Sequence, residues 1–140
     1  MNHRLFMYMA FTVAKLSPDP NKKVGCILTN ANSEIIGGGY NRLPPGVTMP
    51  ETKEEKNSVM EHAEMMLINT VSLHNGSVLY LTHCPCESCA KALIDTEIKD
   101  IFVPASTYES DMMGSWKNSI TNAQYILKKN GVNVHILVEE

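Results

Sequence analysis

No apolar run in this sequence approaches the length of a membrane span, and no basic run is longer than Lys22-Lys23. Internal repeats are absent, as is any linker-like stretch that would divide the chain. The first absence excludes a spanning helix. The second argues against a surface that grips long nucleic acid, as do the net charge of −3 and the pI of about 5.9, but it leaves a small phosphorylated ligand open. At 140 residues, 44% hydrophobic and 19% charged, the chain is expected to fold as one soluble domain over 1–140. The N-terminal MNHRLFMYMAFTVAKL has no small-residue cleavage site, and His3, Arg4 and Lys15 interrupt its apolar stretch. Leu5, Met9, Val13 and Leu16 recur at helical spacing, so the segment reads as a packed amphipathic helix and the protein as cytoplasmic.

The pattern alternates helices and strands. A helix over 3–16 stops at SPDP; VGCILT and EIIGGGY read as strands around the turn-like NANS. Residues 41–57, rich in proline and polar groups, read as a loop. SVMEHAEMMLINTVSL reads as a second helix, with Ser58 as N-cap and Glu61 completing a capping box. SVLYLT is a strand, CESCAKALIDTE a helix opening just after Pro85, and DIFVPA a strand. The helix around NSITNAQYILKKN stops at Gly131 before the strand VNVHILV. The order predicts an α/β fold, a three-layer α-β-α sandwich around a mixed sheet of about five strands. GGGY, residues 37–40, lacks the spacing and the following helix of a phosphate loop; it predicts a bulge or a close backbone approach in a strand.

HCPCESC, residues 83–89, holds three of the four cysteines. In a reducing compartment such clusters bind metal or do chemistry more often than they form disulfides. A Cys86–Cys89 bridge would close a loop of almost no entropic value. A redox pair of the thioredoxin type wants the motif after the first strand of a βαβ unit, and here it falls late. If the helix opens at Pro85, Cys86 and Cys89 lie one turn apart near its first N–H groups, a setting that favours thiolate. His62 in EHAE is the best third ligand, with Glu64 two residues on. His-x-Glu followed by Pro-Cys-x-x-Cys is the pattern of zinc deaminases. Three protein ligands leave a fourth position for water, the mark of a catalytic Zn²⁺. The rival is a closed structural site completed by Cys84 or His83, a zinc-stabilised binding module with no task for Glu64. His3, His74 and His135 have no partner motif and read as surface or packing residues.

The sequence resembles the deoxycytidylate deaminase family within the cytidine-deaminase-like superfamily. Besides HAE and PCESC, the resemblance rests on SPDPNKKVG (17–25), GYN (39–41) and Tyr108, and it runs from about Phe6 to Val138. It implies hydrolytic deamination of dCMP to dUMP and ammonia, which feeds thymidylate synthesis; the alternative is another cytosine nucleoside or nucleotide. Activated water would attack C4 of cytosine while Glu64 relays protons to N3 and to the leaving amine. By position, Asn41 would bind the sugar, Tyr108 the sugar or phosphate, and backbone groups at Ala63 and Cys86 the base. Ser17, Lys22, Lys23 and Arg42 are candidate phosphate contacts. The resemblance further implies a homohexamer activated by dCTP and inhibited by dTTP, with Mg²⁺ accompanying the triphosphate effector. Three features depart from the family: Arg42 stands where glycine is frequent, Met66 where asparagine is frequent, and the 41–58 loop is short and lacks cysteine. The last argues against a second, structural zinc.

Overall fold

The computed structural model describes residues 2–71 and 77–138. The last two residues of the expected second helix, Ser72 and Leu73, and the histidine at 74 lie outside them.

Helix α1, His3–Ala14, is followed by the antiparallel strands β1, Gly25–Thr29, and β2, Ile35–Tyr40. Helices α2, Lys53–Val59, and α3, Ala63–Thr70, precede β3, Val78–Leu81. Then come α4, Glu87–Leu93, β4, Asp100–Pro104, α5, Ala105–Met112, α6, Lys117–Lys129, and β5, Asn133–Leu137. The strands form one sheet in the order β2-β1-β3-β4-β5. β1 runs antiparallel to β2 and β3, while β3, β4 and β5 are parallel. The expected mixed sheet of five strands is what forms.

Strand alternation assigns the two faces. Cys26, Leu28, Leu79, Leu81, Ile101 and Val103 point into the larger core, where they meet Ala63 and Leu67 of α3, Ala90 and Leu93 of α4, and Ala123 and Leu127 of α6. Ile27, Val78 and Tyr80 point the other way, under Phe6, Met7 and Ala10 of α1. On that face His3 stacks on Phe102 at 4.1 Å and His135 stacks on it at 4.5 Å, so both are packing histidines as expected.

The glycines of β2 have a specific use. A Cβ on Gly39 would stand 2.5 Å from the Ala63 carbonyl oxygen, and one on Gly37 would stand 2.5 Å from Val71 Cγ2. Bare backbone at these positions lets α3 settle directly on the sheet, which is the close approach that GGGY predicts.

Two stretches differ from expectation. The 41–57 loop ends in α2, and the helix expected from Ser58 begins only at Ala63. The capping box is the one spelled by Thr52 and Glu55: Thr52 accepts from the Glu55 N–H at 3.2 Å. Ser58 lies inside α2 and donates to the Glu55 carbonyl. Chain direction changes at extended Met60, so residues 53–70 make two short helices at an angle that no single periodicity announces. The second difference is α5, a helix where the sequence pattern assigns no element between the strand DIFVPA and the helix around NSITNAQYILKKN. ASTYESDM buries no residue, so it carries no apolar period to read.

Candidate active site

Two helix starts converge at the site. His62 is the N-cap of α3 and Cys86 the N-cap of α4; both are extended, and neither side chain caps its own helix. An ordinary N-cap side chain is occupied with the first-turn N–H groups. Here the imidazole and the thiol are left for other partners. His62 Nδ1 stands 3.2 Å from Cys89 Sγ and 3.5 Å from Cys86 Sγ. The three ligand atoms lie within 4.8 Å of one another, and Cys84 and His83 are not part of the group. All four cysteines are free.

This donor set suits zinc. Bonds of about 2.0–2.3 Å in a tetrahedron separate the ligand atoms by about 3.5 Å, close to the spacings found. Protonation also points this way. The Cys86 thiol is drawn down to about 3, first by the hydrogen bond from Cys89 and further by His62 and Ser88. Cys89 is pushed up, first by donating that bond to Cys86. His62 is raised, chiefly by its bond to Cys86. The sulfurs and the ring share protons among themselves, and a cation would take the protons' place.

Glu64, two residues into α3, is 4% exposed. Burial raises its carboxyl to about 7, against the opposing pull of its own backbone N–H and of His62. A carboxyl poised near neutrality both accepts and returns a proton. It opens onto a cavity of about 240 Å³ that His62, Ala63 and Cys86 also line. One water occupies about 30 Å³ in the liquid, so the space admits a small molecule.

Of the other expected contacts, Asn41 and Lys22 line this cavity. The Asn41 amide also braces the loop beneath it, accepting from Val24 N at 2.8 Å and donating to the Lys22 carbonyl at 2.9 Å. Ser17, Lys23, Arg42 and Tyr108 are placed elsewhere. Ser17 is buried, its hydroxyl accepting from Asp19 N and its carbonyl from Lys23 Nζ. Arg42 pairs with Glu61 at 2.8 Å. Tyr108 borders a separate groove between α5, α6 and β5.

Sequence reasoning missed the far wall. Lys53, Lys56 and Asn57 of α2 line the cavity, together with Asp19, His83 and Trp116. Lys56 and Asp19 are buried and paired at 2.9 Å, so they largely cancel. Lys53 and Lys22, the latter also paired with Asp111 at 3.7 Å, are the other lysines that line the cavity. The signal for α2 was the Thr52-x-x-Glu55 capping box.

Sheet, helix starts and donor set together define the cytidine-deaminase-like class. The chain belongs to the family described as the cytidine and deoxycytidylate deaminase zinc-binding region, matched over residues 1–105. The deoxycytidylate deaminases of Pongo abelii and Homo sapiens are each 34% identical to it over 119 residues, 76% of this chain and 66% of theirs. The chain therefore spans just under two thirds of the length of those relatives. An uncharacterized deaminase in the luxG 3' region of Aliivibrio fischeri is 32% identical over 133 residues, 92% of this chain and 88% of that protein. Among solved structures, the dCMP deaminase of cyanophage S-TIM5 in complex with dCMP and dUMP has a TM-score of 0.76 at 25% identity, covering 96% of this chain and 95% of that one.

Proposed function

We propose that this chain, acting as one domain over 1–140, hydrolyses the exocyclic amine of dCMP to give dUMP and ammonia. The observation that carries the reading is a buried carboxyl, Glu64, opening onto the same cavity as a His62/Cys86/Cys89 cluster of zinc-site dimensions. A zinc-stabilised binding module would have no use for that carboxyl, since burying it is costly. The relatives named dCMP deaminase supply the substrate.

His62, Cys86 and Cys89 would hold the zinc, their two thiolates and neutral imidazole balancing its charge. When bound, zinc supplies a Lewis acid that makes water a nucleophile near neutral pH. Glu64 takes the proton from the attacking water and passes it to N3 of the cytosine, leaving C4 tetrahedral with a hydroxyl and an amine. It then moves the hydroxyl proton to the amine, which departs as ammonia and leaves the C4 carbonyl of dUMP. The Ala63 and Cys86 backbone groups flank the base, and the remaining N–H of Asn41 serves the sugar. Lys22, which also pairs with Asp111 at 3.7 Å, and Lys53 face the phosphate; they replace Ser17, Lys23 and Arg42 in that role because those three do not line the cavity.

Family membership supports three further parts of the proposal: a cytoplasmic homohexamer, activation by dCTP with Mg²⁺, and inhibition by dTTP. Among the described residues no helix is long and apolar enough to cross a membrane.

The deciding assay measures ammonia release from dCMP, dC, CMP and single-stranded DNA side by side. dCMP should be turned over fastest. Preference for dC would make the protein a nucleoside deaminase, and no release from any of them would leave only the binding module.

A further inference from the structure

Trp116 is the only tryptophan in the chain and is 46% exposed, yet it lines the cavity that Glu64, His62 and Cys86 also line. It precedes α6, and Ile120, one turn further along the same helix face, lines the cavity too but is 2% exposed. The two form a graded apolar wall, with isoleucine at depth and indole at the mouth. This wall is anchored beside the chemistry. Ser119 Oγ accepts from the Glu87 N–H at 3.0 Å, and Asn122 Nδ2 donates to Glu87 Oε1 at 2.9 Å. Glu87 directly follows Cys86, so the start of α6 is tied to the turn of α4 that carries both sulfurs.

The rest of the mouth is polar: Asn21 and Lys22 on one loop, Lys53 and Asn57 on α2. A nucleotide with its base at Glu64 and its phosphate toward those lysines presents a ring face to the α6 side. A half-exposed indole at such a place leaves apolar area in water until a ligand covers it.

We propose that Trp116 is a ligand-contacting residue whose indole closes over the ring face of the bound nucleotide, with Ile120 continuing the wall toward the base. The proposal rests on the cavity being the nucleotide site of a dCMP deaminase. Aromatic contact with a nucleotide ring is sequence-tolerant and strong enough to show as a clear affinity loss on truncation. Trp116 therefore contributes to holding the substrate and takes no part in moving protons.

The single tryptophan is its own reporter. Emission of the zinc-loaded wild-type protein is titrated with dUMP, which is not turned over, and quenching by neutral acrylamide is compared with and without it. Saturable change in emission and reduced quenching are expected. In steady-state assays Trp116→Ala should raise KM for dCMP about tenfold or more, and Trp116→Phe by less than about threefold, with kcat nearly unchanged in both. Turnover of dCMP with no emission change, no shielding and an unaltered Trp116→Ala KM would overturn the proposal and leave the deaminase reading intact. Saturable shielding by dUMP without turnover of dCMP would support the wall and overturn that reading; neither signal would overturn both. Should Trp116→Ala fail to fold, the wild-type titration and Trp116→Phe decide the matter.

Discussion

Arg42 and Glu61 are joined three times. Their backbones exchange both hydrogen bonds, at 2.9 Å from Arg42 N and 2.7 Å from Glu61 N, and Arg42 Nε donates to Glu61 Oε1 at 2.8 Å. Asn69 Nδ2 donates to the other carboxylate oxygen at 3.2 Å. The bridge clamps the end of β2 to the residue before His62, so it fixes where α3 and its metal ligand begin. Arg42→Ala should keep the backbone pair and lose only the side-chain bond, worth up to about 1 kcal/mol at a partly exposed site. Thermal melts should show a small loss, with KM for dCMP changed less than about threefold. A large rise in KM without destabilisation would return Arg42 to the phosphate.

Cys86→Ser or Cys89→Ser should abolish stoichiometric zinc, whereas Cys84→Ser should retain it. Cys84 is absent from the ligand cluster, and its thiol is pushed up to about 12, chiefly by burial, away from the thiolate that zinc requires. Metal analysis of the three purified variants checks this. An empty site in Cys84→Ser would revive the closed four-ligand arrangement.

Glu64→Gln preserves shape and removes the proton carrier. Zinc should stay bound while kcat falls by at least ~10²-fold. Single-turnover ammonia release alongside zinc content separates this outcome from loss of the metal. Turnover within a few-fold of wild type would mean another group moves the proton.

Lys56→Met should leave Asp19 buried without its cation and destabilise the fold by about 3 kcal/mol. The same pair sets an acid limit. Burial alone would raise the Asp19 carboxyl, but the Asn21 N–H, the Lys56 ammonium and the Lys22 N–H outweigh it and hold it below its ordinary value. A depressed folded pKa means stability that is present above the unfolded value near 4 and lost as pH falls through the lower folded one. Urea melts of wild type between pH 6 and 3 should therefore lose stability below about pH 4, and Asp19→Asn should flatten that loss. Equal pH slopes for the two proteins would show that other carboxylates set the limit.

Regulation is tested by dCMP saturation curves with no effector, with dCTP and with dTTP, each with Mg²⁺. The sigmoidal curve expected without effector should become hyperbolic with dCTP and shift to higher substrate with dTTP, since each effector must favour a different state of the assembly. Three superimposable hyperbolas would show that this chain has the chemistry without the control. Light scattering should give the mass of six chains.

The sequence by itself determined the sheet and the chemical groups. Five strands show as short apolar runs between turn residues, and every one forms within a residue or two of its expected bounds because strand burial is written in local composition. His62, Glu64, Cys86 and Cys89 were legible because metal and proton chemistry demand particular residue types at helix spacings. Gly37 and Gly39 were legible as a close approach, though not that α3 is what approaches.

Only the tertiary structure decided which polar side chains face the cavity. Ser17, Lys22, Lys23 and Arg42 look equivalent along the chain, yet Lys22 lines the cavity, even while it pairs with Asp111 at 3.7 Å, and the other three make their bonds to a neighbouring backbone or carboxylate away from it. The direction of a long cation is set by the partners within its reach, and those partners are distant in sequence: Arg42 meets Glu61, and Asp19 takes Lys56 out of play. Trp116 and Lys53 reach the site for the same reason, the first because α6 is tied to Glu87, the second because the chain turns at Met60 and lays α2 across the mouth. Residue type carries the chemistry of a site along a sequence; the route by which distant segments return to it exists only once the core has packed.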